Sequence, residues 1–449
     1  MADHGARQVA VIGRRQLLRN AAGAAALAAA SGSLVQRAFA ATAPPEWSNW
    51  SGSVRFTPAE KVAPTSVAEV QAAVARAAKA GRGVRAIGSG HSFTPLCETQ
   101  GLQLVTSRLR GVESVDTARR EAWLLGGSKL YQVGEPLRKA GLALSTMPDI
   151  DRQALAGSIA TGTHGTGRTI GSLSSYVTGV RLVLASGDTL EATPDKHPEI
   201  FRAAQVSLGA LGVITHVRLA LEPAFRLRER NWTAPFEACM AQLESHVAQN
   251  RHFEFFWFPD PNAFVPAKLP KDLCGMKSLN PTKEPRDFER WDDAAQTRGE
   301  RVGWSDTIYA SPRDTAFNEI EFAIPAERGP DCVRELRQLM LTKHKDALWP
   351  LEYRTVKPDE ALLSPDCGRA TVTISAHQAA ERPYRPYFDD VEAIFRNHGG
   401  RPHWGKIHKL GAKELAPLYP KWDAFQRVRK ELDPKGVFLN AFLRKVLVA

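Results

Sequence analysis

The chain has 449 residues, 43% hydrophobic and 24% charged, with a formal net charge of +11, an ordinary composition for a globular protein of two or three domains with a sizeable core. The basic excess does not point to nucleic acid, because Lys and Arg are scattered among acids and no zinc-finger or helix-turn-helix pattern occurs. Five Arg against one Asp fall within residues 1–40, which leaves +7 on the remainder, a mild field that favours anionic cofactor and substrate groups.

The first 40 residues read as a twin-arginine export signal. Arg14-Arg15-Gln16-Leu17-Leu18-Arg19 precedes an alanine-rich apolar run from Ala21 to Ala30, and Ala38-Phe39-Ala40 supplies small residues at cleavage spacing. A membrane span needs about 20 strongly apolar residues, and this run is shorter and interrupted by Ser31-Gly32-Ser33. We therefore expect an exported protein, periplasmic or extracellular, that is not integral to a membrane. Five cysteines (97, 239, 274, 332, 367) without a Cys-x-x-Cys pair indicate neither a zinc site nor a disulfide framework.

Ser66-Val67-Ala68-Glu69 is a capping box, followed by Val67, Val70, Val74 and Ala77 at helical spacing and Gly81 as the stop. The helix delivers the chain into a short strand that ends in Ile87-Gly88-Ser89-Gly90-His91-Ser92. Glycines there let the backbone approach a bound phosphate with several N–H groups aimed at one anion. Ala122 to Leu125 then reads as a strand, and Ser128 as the cap of a helix carrying Leu130, Val133 and Leu137, which Gly141 ends. A second glycine-rich stretch runs from Gly157-Ser158 through Gly162-Thr163-His164-Gly165-Thr166-Gly167. Val177–Leu184 and Thr189–Ala192 form a hairpin, a helix covers Glu199–Leu208, and Leu208-Gly209-Ala210-Leu211-Gly212-Val213-Ile214 leads into a strand to Leu221. Glu254–Phe258, Glu319–Ile324 and Thr371–Ile374 read as further strands. Between the first two lies a Pro- and charge-rich excursion, 259–318, long for a loop.

These motifs, in this order, resemble the vanillyl-alcohol oxidase superfamily, and the ending resembles its sugar-lactone and alditol oxidase branch: Arg401-Pro402-His403-Trp404-Gly405-Lys406, then Asp433-Pro434-Lys435-Gly436 and Phe442-Leu443. The resemblance implies an α+β protein: a PCMH-type, two-subdomain FAD-binding domain at 50–224, an α+β substrate or cap domain at 225–400, and a segment, 401–449, that returns to the flavin. It implies FAD held by Ile87, Gly88, Ser89, Gly90, His91, Ser92, Gly157, Ser158, Gly162, His164, Gly165, Ile214 and His403, with the flavin bonded covalently to His91. It places Glu352 and Arg354 over the flavin as a substrate clamp and Lys406 beside it. Alditol oxidases carry His where this chain has Ser375; His377, on the same strand face, is its substitute. No metal is implied.

The expected activity is oxidation of a CH–OH group of a sugar-1,4-lactone of the arabinono- or gulono-lactone type, with oxygen as acceptor. Lys406 is the first candidate for the base, His377 the reserve, and Arg354 stabilises developing negative charge. The alternatives are an alditol oxidase, a lactone dehydrogenase passing electrons to a cytochrome or quinone, and an exported carbohydrate-binding protein with a vestigial flavin site.

Overall fold

The computed structural model describes residues 46–265, 268–311 and 315–448. Residues 1–40, read above as a twin-arginine signal, lie outside the described residues. The described residues make one compact unit, and no helix among them is long and apolar enough to cross a membrane.

Three sheets among the described residues carry the architecture. Strands Glu60–Val62, Leu102–Val105 and Val84–Ile87 form a small parallel sheet in which Leu102–Val105 is central. Helix Val67–Lys79 covers it through Val70, Ala73, Val74 and Ala77. Its cap differs slightly from expectation: Ser66 accepts from the Glu69 amide, but the Glu69 carboxylate reaches back past Ser66 to the Thr65 amide and hydroxyl. Gly81, at φ +67°, releases the chain toward the strand, a conformation that glycine adopts without cost.

The second sheet is five-stranded and antiparallel in its pairings, ordered Thr189–Ala192, Val177–Val183, Val213–Ala220, Glu121–Leu125, Val112–Asp116. The expected hairpin is present. The helix after it is shorter than its pattern, Pro198–Ala204. Lys129, not Ser128, caps helix Leu130–Lys139, because the Ser128 hydroxyl is turned to the Leu125 carbonyl at 2.7 Å.

The third sheet has nine strands, and residues 259–318 supply three of them whole. Leu273–Thr282 and Gly299–Trp304 both pair with Arg226–Pro235, and Phe288–Trp291 pairs with Gly299–Trp304, to form the sheet's outer half, while Ser305–Ile308 is a short helix. The inner half runs His252–Phe258, Leu351–Val356, Thr371–Ala379, Phe317–Pro325 and Arg401–Pro402. Helices Phe236–Gln249, Gly329–Thr342 and Tyr387–Asn397 bury apolar stripes such as Cys332, Val333, Leu336 and Met340.

The C-terminal residues return to the first sheet. The Phe93 amide donates to the Gly405 carbonyl at 2.7 Å and the Val84 amide to the Val437 carbonyl at 2.9 Å. Asn440 Nδ2 is shared among the carbonyls of Pro95, Leu96 and Glu98. The buried Arg85 guanidinium donates to four carbonyls, those of Leu96, Leu208, Gly209 and Phe438, at 2.7–3.0 Å. One side chain thereby ties the first strand to the 208–209 turn and to the C-terminus.

Candidate active site

A cavity of about 560 Å³ lies where all three sheets meet, walled by residues 85–92, 148–164, 208–214, the face of the nine-stranded sheet, and 403–406. Fifteen of the seventeen residues expected at the site line it: Ile87, Gly88, Ser89, Gly90, His91, Ser92, Gly157, Ser158, His164, Ile214, Glu352, Arg354, His377, His403 and Lys406. Gly162 and Gly165 do not. Gly162 ends helix Leu155–Thr161 at φ +77°. A Cβ on Gly165 would stand 2.6 Å from the Met147 carbonyl oxygen, so both glycines shape the second loop instead of touching its contents.

The first loop needs its glycines for space. A Cβ on Gly88 would sit 2.6 Å from that of Ala154, and one on Gly90, itself at φ +69°, would sit 2.7 Å from the Trp47 ring. Gly157 is the opposite case: its Cβ position meets nothing within 4 Å, so the chain leaves room on the cavity side. Ser89 accepts from the Lys129 ammonium and donates to the Arg152 carbonyl at 2.6 Å. His91 stacks on Trp50 with centroids 5.7 Å apart. Burial, then the nearby Lys129 and Lys406 charges, pull its pKa down to about 4, so the imidazole is neutral at pH 7.

The opposite wall is one face of the sheet, and strand pairing aligns its side chains in rows. Phe256 pairs with Glu352, Glu352 with Ser375, and Ser375 with Glu321. In the next row Glu254 pairs with Arg354; on the other side His377 pairs with Glu319. Period-two alternation puts these residues on a common face. Arg354 Nη2 lies 3.0 Å from Glu321 Oε2 and 3.3 Å from Glu352 Oε2. Burial disfavours its charge, but Glu352 and Glu321 more than offset that and hold its pKa above the usual value. Glu321 is also buried, yet His164 and Arg354 keep its carboxyl well below the ordinary range. Ser375 Oγ donates to Glu352 at 3.1 Å.

His164 presents both ring nitrogens to oxygen, Nε2 to Glu321 at 2.7 Å and Nδ1 to the Gly165 carbonyl at 2.8 Å. Residues 401–407 run beside strand Phe317–Pro325: the His403 amide donates to the Glu321 carbonyl and the Ile407 amide to that of Glu319, each at 3.0 Å. That register sets the Lys406 ammonium on the Glu319 carboxylate, with His377 Nε2 3.6 Å from the other Glu319 oxygen. Burial drops the His403 pKa to about 3, and its Nδ1 accepts from the Gly405 amide at 3.1 Å. Trp404 is fully buried on Tyr419 and does not reach the cavity.

Glu319 and Glu321 are site residues that sequence reasoning placed on a strand without assigning them a role. The available signal was two acids at period-two spacing in an otherwise apolar strand, a pattern that commits both to one buried face. Lys277 and Glu254 form a further charged cluster behind the clamp, 2.6 Å apart, with Asp149 3.1 Å from Lys277.

The cavity thus has glycine-rich loops on one side and a set of buried charges on the other. The room left at Gly157 and the length of the cavity wall from residue 85 to 214 fit a large cofactor, and the comparisons with known proteins place the chain among flavoprotein oxidoreductases. Residues 217–272 and 271–446 match the family described as D-arabinono-1,4-lactone oxidase, and 58–193 match an FAD binding domain. The L-gulono-1,4-lactone dehydrogenase of Mycobacterium tuberculosis is 35% identical over 428 residues, covering 90% of this chain and 99% of that protein. The L-gulonolactone oxidase of Bos taurus is 29% identical (89% and 98% covered), and so is the alditol oxidase of a Streptomyces species (89% and 98%). Among solved structures, cholesterol oxidase from B. sterolicum superposes with a TM-score of 0.77 over 90% of this chain and 96% of that one at 16% identity, a likeness of fold. The chain belongs to the D-arabinono-1,4-lactone oxidase family, the sugar-lactone oxidase branch of the PCMH-type FAD-binding superfamily. It is an FAD-dependent enzyme with the α+β fold of that superfamily.

Proposed function

We propose that the protein oxidises a carbinol of a sugar-1,4-lactone of the arabinono- or gulono-lactone type, with oxygen as the acceptor. The observation that carries this reading is the set of Glu352, Arg354, Glu321 and Glu319 on one sheet face, with Lys406 laid on Glu319 from the adjoining segment, opposite the glycine-rich loops. FAD, when bound, supplies a hydride acceptor. The protein's part is positioning and proton handling. Glu352 accepts hydrogen bonds from substrate hydroxyls, and Arg354, fixed between two carboxylates, offers a permanent positive charge to the oxygen that becomes alkoxide-like. Lys406, held on Glu319, is the residue that takes the substrate hydroxyl proton. His377 stands behind Glu319 as second acceptor.

The cofactor is held covalently at His91 and nowhere else: the imidazole is neutral, and no cysteine occurs between Cys97 and Cys239. Acid precipitation of the protein should leave yellow colour in the pellet, and His91→Ala should release it; colour that washes out of wild type refutes the linkage. The protein is exported in folded form through Arg14 and Arg15, so exchanging both for Lys should trap a flavin-loaded precursor in the cytoplasm, and unchanged export would overturn that reading. The substrate reading is tested by mixing the holoenzyme anaerobically with L-gulono- and D-arabinono-1,4-lactone and then admitting air. Bleaching followed by rapid return of the 450 nm band supports it; no bleaching by any lactone ends it. Bleaching that air does not reverse but a quinone or cytochrome does makes the enzyme a dehydrogenase.

A further inference from the structure

Along the sheet face the charged rows give way to aromatic ones. Phe317 lies two residues before Glu319 on the same face, Phe258 two residues beyond Phe256, and Trp349 just before the strand that carries Glu352. Phe317 stands edge-on to His377, with centroids 5.2 Å apart, and packs against Trp349 at 5.5 Å. Trp349 meets Phe264 edge-on at 5.6 Å, and Phe264 meets Phe258 at 5.7 Å. All four rings line the cavity. The wall starts inside at Phe317, which is 6% exposed, and ends at Phe264, which is 41% exposed. Among the described residues only Tyr131 and Val448 are comparably exposed large hydrophobics. An exposed Phe forgoes the stabilisation of burial, and one that edges a cavity is positioned to be covered by whatever enters.

We infer that Phe264, Trp349 and Phe317 form a stacking subsite that selects a cyclic lactone over an open-chain polyol. This rests on the lactone reading above and goes further by naming the groups that enforce the ring. A five-membered lactone has flat C–H faces and a polar edge. With its hydroxyls on Glu352 and the Glu319–His377 pair, it turns a C–H face to the aromatic wall, whose electron-rich ring faces attract those hydrogens. An alditol has no such face, and its hydroxyls would meet apolar rings without hydrogen-bond partners.

The test is steady-state and anaerobic kinetics of the holoenzyme with L-gulono-1,4-lactone and with sorbitol, for wild type, Phe264→Ala, Trp349→Ala and Trp349→Phe. Loss of one aromatic partner should raise KM for the lactone about three- to tenfold with kcat within about twofold. KM for sorbitol should stay within about twofold, and Trp349→Phe should keep most of the lactone preference. If wild type is not reduced by any lactone, the functional reading fails. If the lactone reduces it but both alanine variants shift the two substrates equally, or neither, the subsite is refuted while the function stands. Should Trp349→Ala fail to fold, the exposed Phe264 carries the same test.

Discussion

Glu321→Gln probes the side chain on which both walls of the site depend. The carboxylate accepts from His164 Nε2 at 2.7 Å and Arg354 Nη2 at 3.0 Å, and it is 1% exposed. A glutamine has one acceptor oxygen, so its NH₂ must face one of two N–H donors. One charge-assisted bond, ~1.5–3 kcal/mol, is lost. Removing one partner of a buried pair costs about 3–5 kcal/mol, and because Arg354 keeps Glu352 and His164 keeps the Gly165 carbonyl, we expect the lower end, about 3 kcal/mol. With a guanidinium m-value of about 5 kcal/mol/M, the unfolding midpoint of the FAD-loaded enzyme should fall by about 0.6 M. Arg354 should also be drawn toward Glu352, raising KM for the lactone. Tryptophan fluorescence during unfolding and anaerobic flavin reduction measure the two effects. A midpoint lowered by less than about 0.2 M together with an unchanged KM would show that Glu321 is not the group that fixes Arg354.

Arg85→Met should strand the carbonyls of Leu208, Gly209 and Phe438, that of Leu96 keeping Asn440, and cost about 3 kcal/mol at ~1 kcal/mol each, with lower FAD content per chain; unchanged flavin content and melting temperature would contradict this. Gly157→Leu should fold and melt near wild type, because nothing occupies its Cβ position, yet it should fill the cradle and give colourless protein; a yellow variant would move the cofactor elsewhere. His408 is fully buried with neither ring nitrogen hydrogen-bonded, and burial drops its pKa to about 3. Its folded-state pKa is depressed, so the unfolded chain binds the proton below pH 6.5 while the fold does not, and stability is lost as pH falls from 6.5 toward 3. His408→Leu should therefore match or slightly exceed wild type at pH 7.5 and gain about 2 kcal/mol at pH 5, at 1.36 kcal/mol per unit; equal pH profiles in urea melts would refute that cause.

The glycine cradles were legible because steric need leaves a mark on sequence: Gly88, Gly90 and the αL position Gly162 tolerate little else. Glu352, Arg354 and Lys406 were legible through the resemblance, not through periodicity. The outer half of the large sheet was not, since Arg226–Pro235 (RLRERNWTAP) and Leu273–Thr282 (LCGMKSLNPT) carry charge, Gly and Pro where strand propensity looks for β-branched residues. Their pairing is set by ten consecutive cross-strand partners, a tertiary constraint with no local signature. Glu319 and Glu321 escaped notice for the same reason: what makes them site residues is a partner more than 80 residues away, Lys406 for one and His164 for the other.

The contacts of Gly405, Val437, Phe438 and Asn440 with residues 84–98 also impose an order of events during synthesis. The cradle strand and loop leave the ribosome early, but the Val84 amide and the carbonyls of Pro95 and Glu98 receive these partners, and the Arg85 guanidinium its fourth acceptor, only when Val437, Phe438 and Asn440 have emerged. A nascent chain therefore lacks this bracing of the cradle until residues 437–440 have been made. A frameshift or premature stop before residue 437 would remove that bracing and leave the Arg85 guanidinium one acceptor short.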